Sequence, residues 1–333
     1  MKITLTYNLK KDEEGRPADF CSEYDAPETI DAIKGALETK GHNVALLEVT
    51  STNLLSYFKK HSVDFVFNIA EGTRSSCRES EIPALLSLLN IPHTGSSHLS
   101  LALAMNKATT KKILKYENIP TPEFQLFQKG TEALKTGLKF PLIVKPNCEG
   151  SSKGICKSSM VGNENELYAQ IRRVIDEYRC EALVEEFIDG KEVTVGILEN
   201  GKITILPILE IDFSSCKKSG EFFYSWRMKE FQGNSDLGLT PTFYCPARLD
   251  NNTKKEIEAL AVRAHRALGC RDISRTDIRL NHDGKPYVLE VNPLPGLDPI
   301  ESIFPKMARA AGLDYPDLIE AILLNASERR IAS

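Results

Sequence analysis

The stretch SRTDIRLNHDGKPYVLEVNPLPG, Ser274 to Gly296, decides how this chain is read. It has the pattern of two strands around an Asn-His-Asp-Gly turn. In its second half Val288, Leu289 and Val291 suit a buried strand, whereas Glu290 and Asn292 do not. Side chains two apart on a strand share a face, so the carboxylate and the carboxamide point the same way. A turn centred on His282-Asp283 sets Arg275 opposite Glu290 and Asp277 opposite Val288. By parity Arg275, Asp277, Glu290 and Asn292 then project from one face, and Leu289 and Val291 bury the other. Asp277, Glu290 and Asn292 supply hard oxygens, which suit Mg²⁺, a cation that completes its shell with water and phosphate. Pro-Leu-Pro-Gly stops the strand and would bring backbone N–H, at Gly296 especially, close to a bound anion. The same D-x-R beside E-x-N also suits a surface ion-pair face.

Upstream, EGSSKG (Glu149–Gly154) follows a strand. Its small residues let backbone N–H groups approach phosphate, with the Ser151 and Ser152 hydroxyls as added donors; a flexible turn reads the same way. It is neither a Walker loop nor a dinucleotide fingerprint. Lys145, in IVKP, sits among apolar residues, where a lysine snorkels, pairs or neutralises a phosphate. Lys107 and Lys229, read singly, are solvated surface lysines. VEEFIDGKE places Glu185 and Phe187 on one strand face with Glu192 just past a turn. That set offers a nucleoside an apolar wall and carboxylates, and it equally describes a hairpin with charged edges.

At 333 residues the chain is long enough for two or three domains. A net charge of −4 argues against an electrostatic nucleic-acid binder. No run of about 18 apolar residues marks a membrane span. The opening MKITLTYNLKKDEEG has no apolar signal core. The 8 cysteines are scattered with no C-x-x-C pair, which argues against a zinc site and fits a reducing, cytoplasmic setting.

The first third alternates strand and helix. KITLTY, NVALLEV and VDFVFNI are strand-like, and Ile30, Ile33 and Leu37 lie at helical spacing before Gly41. SEIPALLSLLNIP reads as a helix, and the polar segment from Asp12 to Pro27 as a loop. This rhythm implies a parallel sheet with flanking helices. Further on, MNKATTKKILKYENIP gives a basic helix and FPLIVKP a strand. ALVEEFIDGKEVTVGIL reads as two strands joined at Asp189-Gly190, a hairpin turn pair. Ser214–Pro246 reads as a long, lid-like loop. NNTKKEIEALAVRAHRALG is an amphipathic helix with Ile257, Leu260, Ala261, Ala264 and Leu268 as its stripe.

Taken in order, VFNIAEG, IPHTGSSHLSLALAMNK, FPLIVKPNCEGSSKGI, VEEFIDGKEVTVGIL and TDIRLNHDGKPYVLEVNPLPG resemble the ATP-grasp superfamily, and more closely the D-alanine–D-alanine ligase family. The resemblance spans about Val63 to Pro305. It implies an α/β ATP-grasp fold: an N-terminal parallel α/β domain (1–104), a central subdomain (105–183) and a C-terminal domain (184–333) that clamps ATP with it. Carried over, it makes Lys107 and Lys145 nucleotide-phosphate ligands and places Glu185, Phe187, Ile188 and Glu192 at adenosine. Glu149, Gly150, Ser151, Ser152 and Gly154 become the loop over the phosphates, and Lys229 the lysine of a second lid. Asp277, Glu290 and Asn292 match magnesium ligands, two ions being implied, with Mn²⁺ as a substitute. Arg275, the Gly296 backbone and Ser151 form the catalytic set, and Ser302 and Ile303 lie near a substrate carboxylate. The implied chemistry is ligation of a carboxylate to an amine through an acyl phosphate, in a cytoplasmic enzyme, with homodimers common in the family.

The departures fall elsewhere. The family's Gly-Gly-x-Ser-x-Glu segment, which meets a substrate ammonium, has no match; Glu23 or Asp25 is the replacement carboxylate. The usual His-Gly is Glu71-Gly72, the Gly-Glu-Asp-Gly stretch is SSCRESE, and the tyrosine after the lid lysine is Glu230. The nucleotide half matches and the amino-acid half does not. This pattern fits a ligase for D-alanine less well than one for another amino acid or carboxylate; a non-catalytic ATP-binding module is a third reading.

Overall fold

The computed structural model describes residues 1–11, 17–50, 52–73 and 75–332. Residues 12–16 of the expected loop lie outside them. Strands β1 (Lys2–Tyr7), β2 (Asn43–Glu48) and β3 (Phe65–Asn68) form the expected parallel sheet, in the order β2-β1-β3. Helix Pro27–Thr39 makes the first crossover and buries Ile30, Ile33 and Leu37 against Ile3 and Leu5.

A second, antiparallel sheet holds β4 (Phe124–Phe127), β5 (Leu142–Pro146), β6 (Met160–Val161) and β7 (Ala182–Glu186), in the order β4-β7-β5-β6. Helix Glu164–Tyr178, capped by the Asn163 side chain, covers it with Leu167, Ile171 and Val174.

The third sheet holds β8 (Glu192–Asn200), β9 (Lys202–Ile205), β10 (Leu209–Asp212), β11 (Thr242–Tyr244), β12 (Ile273–Leu280) and β13 (Pro286–Asn292). Its order is β11-β10-β8-β12-β13, with β9 on β8. Helix Asn251–Ala267 starts at Asp250, whose side chain caps Asn252 and Thr253, and buries the expected stripe against Val193, Val195, Ile197 and Val288. On the other side, Phe304, Met307, Ile319 and Ile322 from the last two helices pack on Leu198 and Leu209. These residues share a core with Ile33 and Leu37, so the first and third sheets are tied together. Ala104, Leu114 and Ile119 also join the third sheet's core, although they precede the second sheet in the chain.

Four sequence expectations are corrected. First, β12 and β13 pair Arg275 with Asn292 and Asp277 with Glu290, then Ile278 with Val288. Leu289 is therefore a bulge. Val288 and Val291 both stay buried, while Leu289 turns to line the site instead of the far face. The common face of Arg275, Asp277, Glu290 and Asn292 is unaffected, because the extra residue lies before Glu290. Second, Asp189-Gly190 does not close a hairpin: β7 pairs with β4 and β5, and β8 with β10 and β12. Gly190, at φ +147°, passes the backbone of Leu280 so closely that a Cβ would stand 2.0 Å from its carbonyl oxygen. The glycine answers a close approach between chain segments, which local sequence shares with a turn. Third, Ser214–Pro246 is not one loop. It contains the helix Trp226–Glu230 and β11, whose Phe243 pairs with Ile211 of β10. Fourth, a boundary at 183/184 falls inside β7, which belongs wholly to the second sheet.

Candidate active site

A cleft of about 580 Å³ lies between the second and third sheets, with Ser22–Ala26, Thr29, Glu71 and Glu79 of the N-terminal region as its third wall. Of the residues singled out from sequence, it brings together Glu23, Glu71, Lys145, Gly150, Ser151, Ser152, Glu185, Phe187, Ile188, Glu192, Lys229, Glu230, Arg275, Asp277, Glu290, Asn292, Gly296, Ser302 and Ile303. Lys107 and Glu149 border a smaller adjoining hollow that shares Gly150, Glu290 and Asn292. Gly154 lines neither.

The hairpin supplies the oxygens. Arg275 grips Asp277 through both ends, Nε at 2.9 Å and Nη2 at 2.7 Å. Thr194 donates to the same carboxylate at 2.6 Å. The Asn292 amide donates to Asp277 at 3.1 Å and to Glu290 at 3.3 Å. Lys107 lies 3.2 Å from Glu290. Burial would raise the Glu290 pKa, but Lys107, Lys145 and Arg275 outweigh it and hold the carboxyl well below the usual range. Two carboxylates and a carboxamide, with cations and amide protons drawn against their oxygens, fit a hard divalent cation.

Neither of the lysines read singly as surface groups is free. Lys107 is 7 % exposed and donates to the Glu149 carbonyl at 2.6 Å. Lys229 stands in the cleft and donates to Ser151 at 2.9 Å. Lys145 pairs with Glu185. A further lysine, Lys111, is fully buried 2.7 Å from the other Glu185 oxygen and donates to Thr121 at 2.9 Å. Burial, with Lys145 nearby, lowers its pKa to about 8. That Glu185 oxygen, Oε2, is close to the ammonium but makes no aligned hydrogen bond.

In the phosphate loop Ser151 and Ser152 take left-handed φ of 47° and 59°. The Gly150 N–H donates to Glu23 and the Gly154 N–H to Asp19, each at 2.7 Å. These two amides are therefore taken up by the N-terminal segment. Among the described residues the Ser151 and Ser152 N–H groups meet no acceptor within the protein. Ser152 donates to the Tyr224 carbonyl at 2.9 Å, and Trp226 N–H to Ile155 at 3.1 Å, so the Trp226 segment rests on the loop.

At the apolar end, Phe187, Phe223, Ile143 and Leu289 form walls. Arg279 lies 4.6 Å over the Phe187 ring, donates to the Ile188 carbonyl at 2.7 Å and pairs with Glu192 at 2.8 Å. At the opposite end, Glu23 does not face the cleft as a free carboxylate. Arg78 binds both its oxygens, Lys153 lies at 3.4 Å, and Arg78 and Lys153 also hold Glu149. Glu230 pairs with Lys10 at 2.9 Å. Ser302 accepts from Asp298 N–H at 3.1 Å.

Sequence reasoning missed Lys111, Arg279, Arg78 and Glu79. Two of these carried a signal: Lys111 is four residues past Lys107 on one helix face, and Arg279 continues the Arg275, Asp277 parity. Arg78 had none, because its partners Glu23 and Glu149 lie far away in the chain, and Glu79 had none, because the cleft it lines is built from distant segments.

Residues 111–324 match the family model described as D-ala D-ala ligase C-terminus. The chain is 36% identical over 311 residues to a D-alanine–D-alanine ligase of Pelotomaculum thermopropionicum, covering 90% of this chain and 91% of that one. It is also 36% identical over 312 residues to that of Carboxydothermus hydrogenoformans, covering 91% and 93%. The chain belongs to the D-alanine–D-alanine ligase family. A crystal structure of the Bacillus anthracis D-alanine–D-alanine ligase complexed with ATP superposes with a TM-score of 0.76 at 26% identity, covering 100% of this chain and 99% of that one. The fold is therefore ATP-grasp, in a family of ATP-dependent ligases that form C–N bonds. Among the described residues no helix is long and apolar enough to cross a membrane.

Proposed function

We propose that this family member phosphorylates the carboxylate of an amino acid with ATP and joins the resulting acyl group to an amine. One observation carries the reading. The cleft sets Arg275, Asp277, Glu290 and Asn292 on one wall, with Lys145 and the unfilled Ser151 and Ser152 N–H groups on the other. A triphosphate needs that arrangement: cations and amides on one side, oxygen ligands for divalent metal on the other. Bound Mg²⁺ would be held by Asp277, Glu290 and Asn292 and would neutralise charge on the phosphate oxygens.

The remaining roles belong to side chains of this chain. Phe187, Ile188 and Leu289 take the base, and Glu192, released from Arg279 in part, meets the ribose. Lys107, Lys145 and Lys229 offset phosphate charge. Arg275 and the Gly296 N–H stabilise the oxygens that gain charge as the acyl phosphate forms and collapses. Ser302 and the Ile303 N–H, at the start of a helix, hold a substrate carboxylate. The Glu149–Gly154 loop and the Trp226 helix exclude water, which would otherwise hydrolyse the acyl phosphate. Three units matching the three sheets support the domain reading, with the second extended to Glu186.

Release of phosphate from ATP over a panel of D- and L-amino acids, singly and in pairs, tests this. D-alanine alone giving release supports the relatives' named reaction; release only with another pair supports a different substrate. Lys145→Ala should weaken ATP more than amino acid, and equal losses would remove Lys145 from the phosphate site.

A further inference from the structure

The amino-acid end of the cleft has too many carboxylates for a single ammonium. Asp25, Glu71 and Glu79 all line it. Among the described residues none of these three side chains has a hydrogen-bonded or ion-paired partner. The contrast with the rest of the wall is sharp: Glu23 has Arg78, Glu185 two lysines, Asp277 Arg275 and Glu290 Lys107. The cation closest in effect to Asp25 is Lys229, whose ammonium donates to Ser151.

The placement is fixed by the backbone. Gly72 has a φ of +76°, and a Cβ there would stand 2.4 Å from the Arg78 carbonyl oxygen. Its N–H donates to Asn8 at 2.9 Å. The turn thus holds Glu71 beside the helix start from which Glu79 projects. Burial, with Asp298 near Asp25 and Glu23 near Glu79, pushes these two up to about 7 against the pull of Lys229 and Arg78; burial, with Glu79, Glu23 and Asp25 nearby, pushes Glu71 well above its ordinary value. Among the described residues no three such groups converge closely enough to ligate one metal ion. Carboxylates spread along a cleft wall suit an extended organic cation instead.

Building on the ligase reading, we infer that the amino acid held against the N-terminal wall carries a second positive charge in its side chain. Its α-ammonium and its side-chain ammonium or guanidinium are met by different members of the Asp25, Glu71 and Glu79 set. A small neutral amino acid brings one positive charge and would engage only one member of the set.

Calorimetric binding, with ADP and Mg²⁺ present, of D- and L-lysine, ornithine and arginine against neutral norleucine and citrulline tests this, alongside phosphate release from ATP with each. The basic members should bind at least about tenfold more tightly than their neutral counterparts, the scale of one partly desolvated charge pair. Glu71→Gln and Glu79→Gln should each shrink that ratio. Phosphate release with neutral amino acids and no preference for basic ones overturns this inference and leaves the ligase reading standing. No release with any amino acid, together with no difference between basic and neutral binding, overturns both. A wild-type preference that both variants retain in full also overturns it.

Discussion

Glu185→Gln isolates what holds the lysines of the cleft in place. The substitution keeps the shape of a side chain that is 2 % exposed and removes its charge. Two ammonium groups then lose their partner: Lys145, and Lys111 at 2.7 Å. At that separation one pair is worth roughly 6 kcal/mol of direct attraction at an effective dielectric of 20. Desolvation offsets part of this, and the net cost of breaking a buried pair is about 3–5 kcal/mol. Lys111 already titrates at about 8 with Glu185 present. Without the carboxylate its folded pKa falls further below the unfolded value, so the unfolded state binds more protons across neutral pH. The variant should therefore regain stability as pH rises from the folded pKa toward the unfolded one, as the buried lysine gives up its proton at lower cost. Lys111→Met is the control. It leaves Lys145 and Glu185 as a matched pair and should cost less than half as much. Urea unfolding midpoints at pH 6, 7.5 and 9 check all three chains. A Glu185→Gln chain as stable as wild type and flat with pH would show that these lysines do not depend on Glu185.

Other perturbations reach different parts of the argument. Glu290→Gln should abolish phosphate release while thermal unfolding moves little, since Lys107 keeps the Glu149 carbonyl as a partner; unchanged turnover would remove the metal assignment. Gly190→Ala forces a Cβ to within 2.0 Å of the Leu280 oxygen at a φ that L residues rarely adopt, and should cost at least the roughly 1–3 kcal/mol of a strained backbone position in urea unfolding. Asp25 and Glu79, with folded pKa values near 7 against ordinary values of 3.8 and 4.5, bind more protons folded than unfolded between those limits. The ligand-free chain should therefore lose stability as pH rises from about 5 to 7, and a double Asp25→Asn, Glu79→Gln variant should flatten that slope in a calorimetric pH series.

Sequence by itself determined the periodic elements and the hairpin face. The parallel β2-β1-β3 sheet, the helix Asn251–Ala267 and the shared face of Arg275, Asp277, Glu290 and Asn292 follow from spacing of 3.6 or 2, which is local information. The resemblance located most of the nucleotide end for the same reason, since its motifs are contiguous in the chain. Tertiary structure decided what depends on partners distant in sequence. It turned Asp189-Gly190 from a hairpin into a crossing between sheets, slipped the hairpin register by a bulge at Leu289, and brought Lys107 and Lys111 inside. It also drew Glu23 to Arg78 and left Asp25, Glu71 and Glu79 facing the cleft. Whether a charge is paired or left open for a ligand is set by which segments pack together, and no local pattern of residues records that.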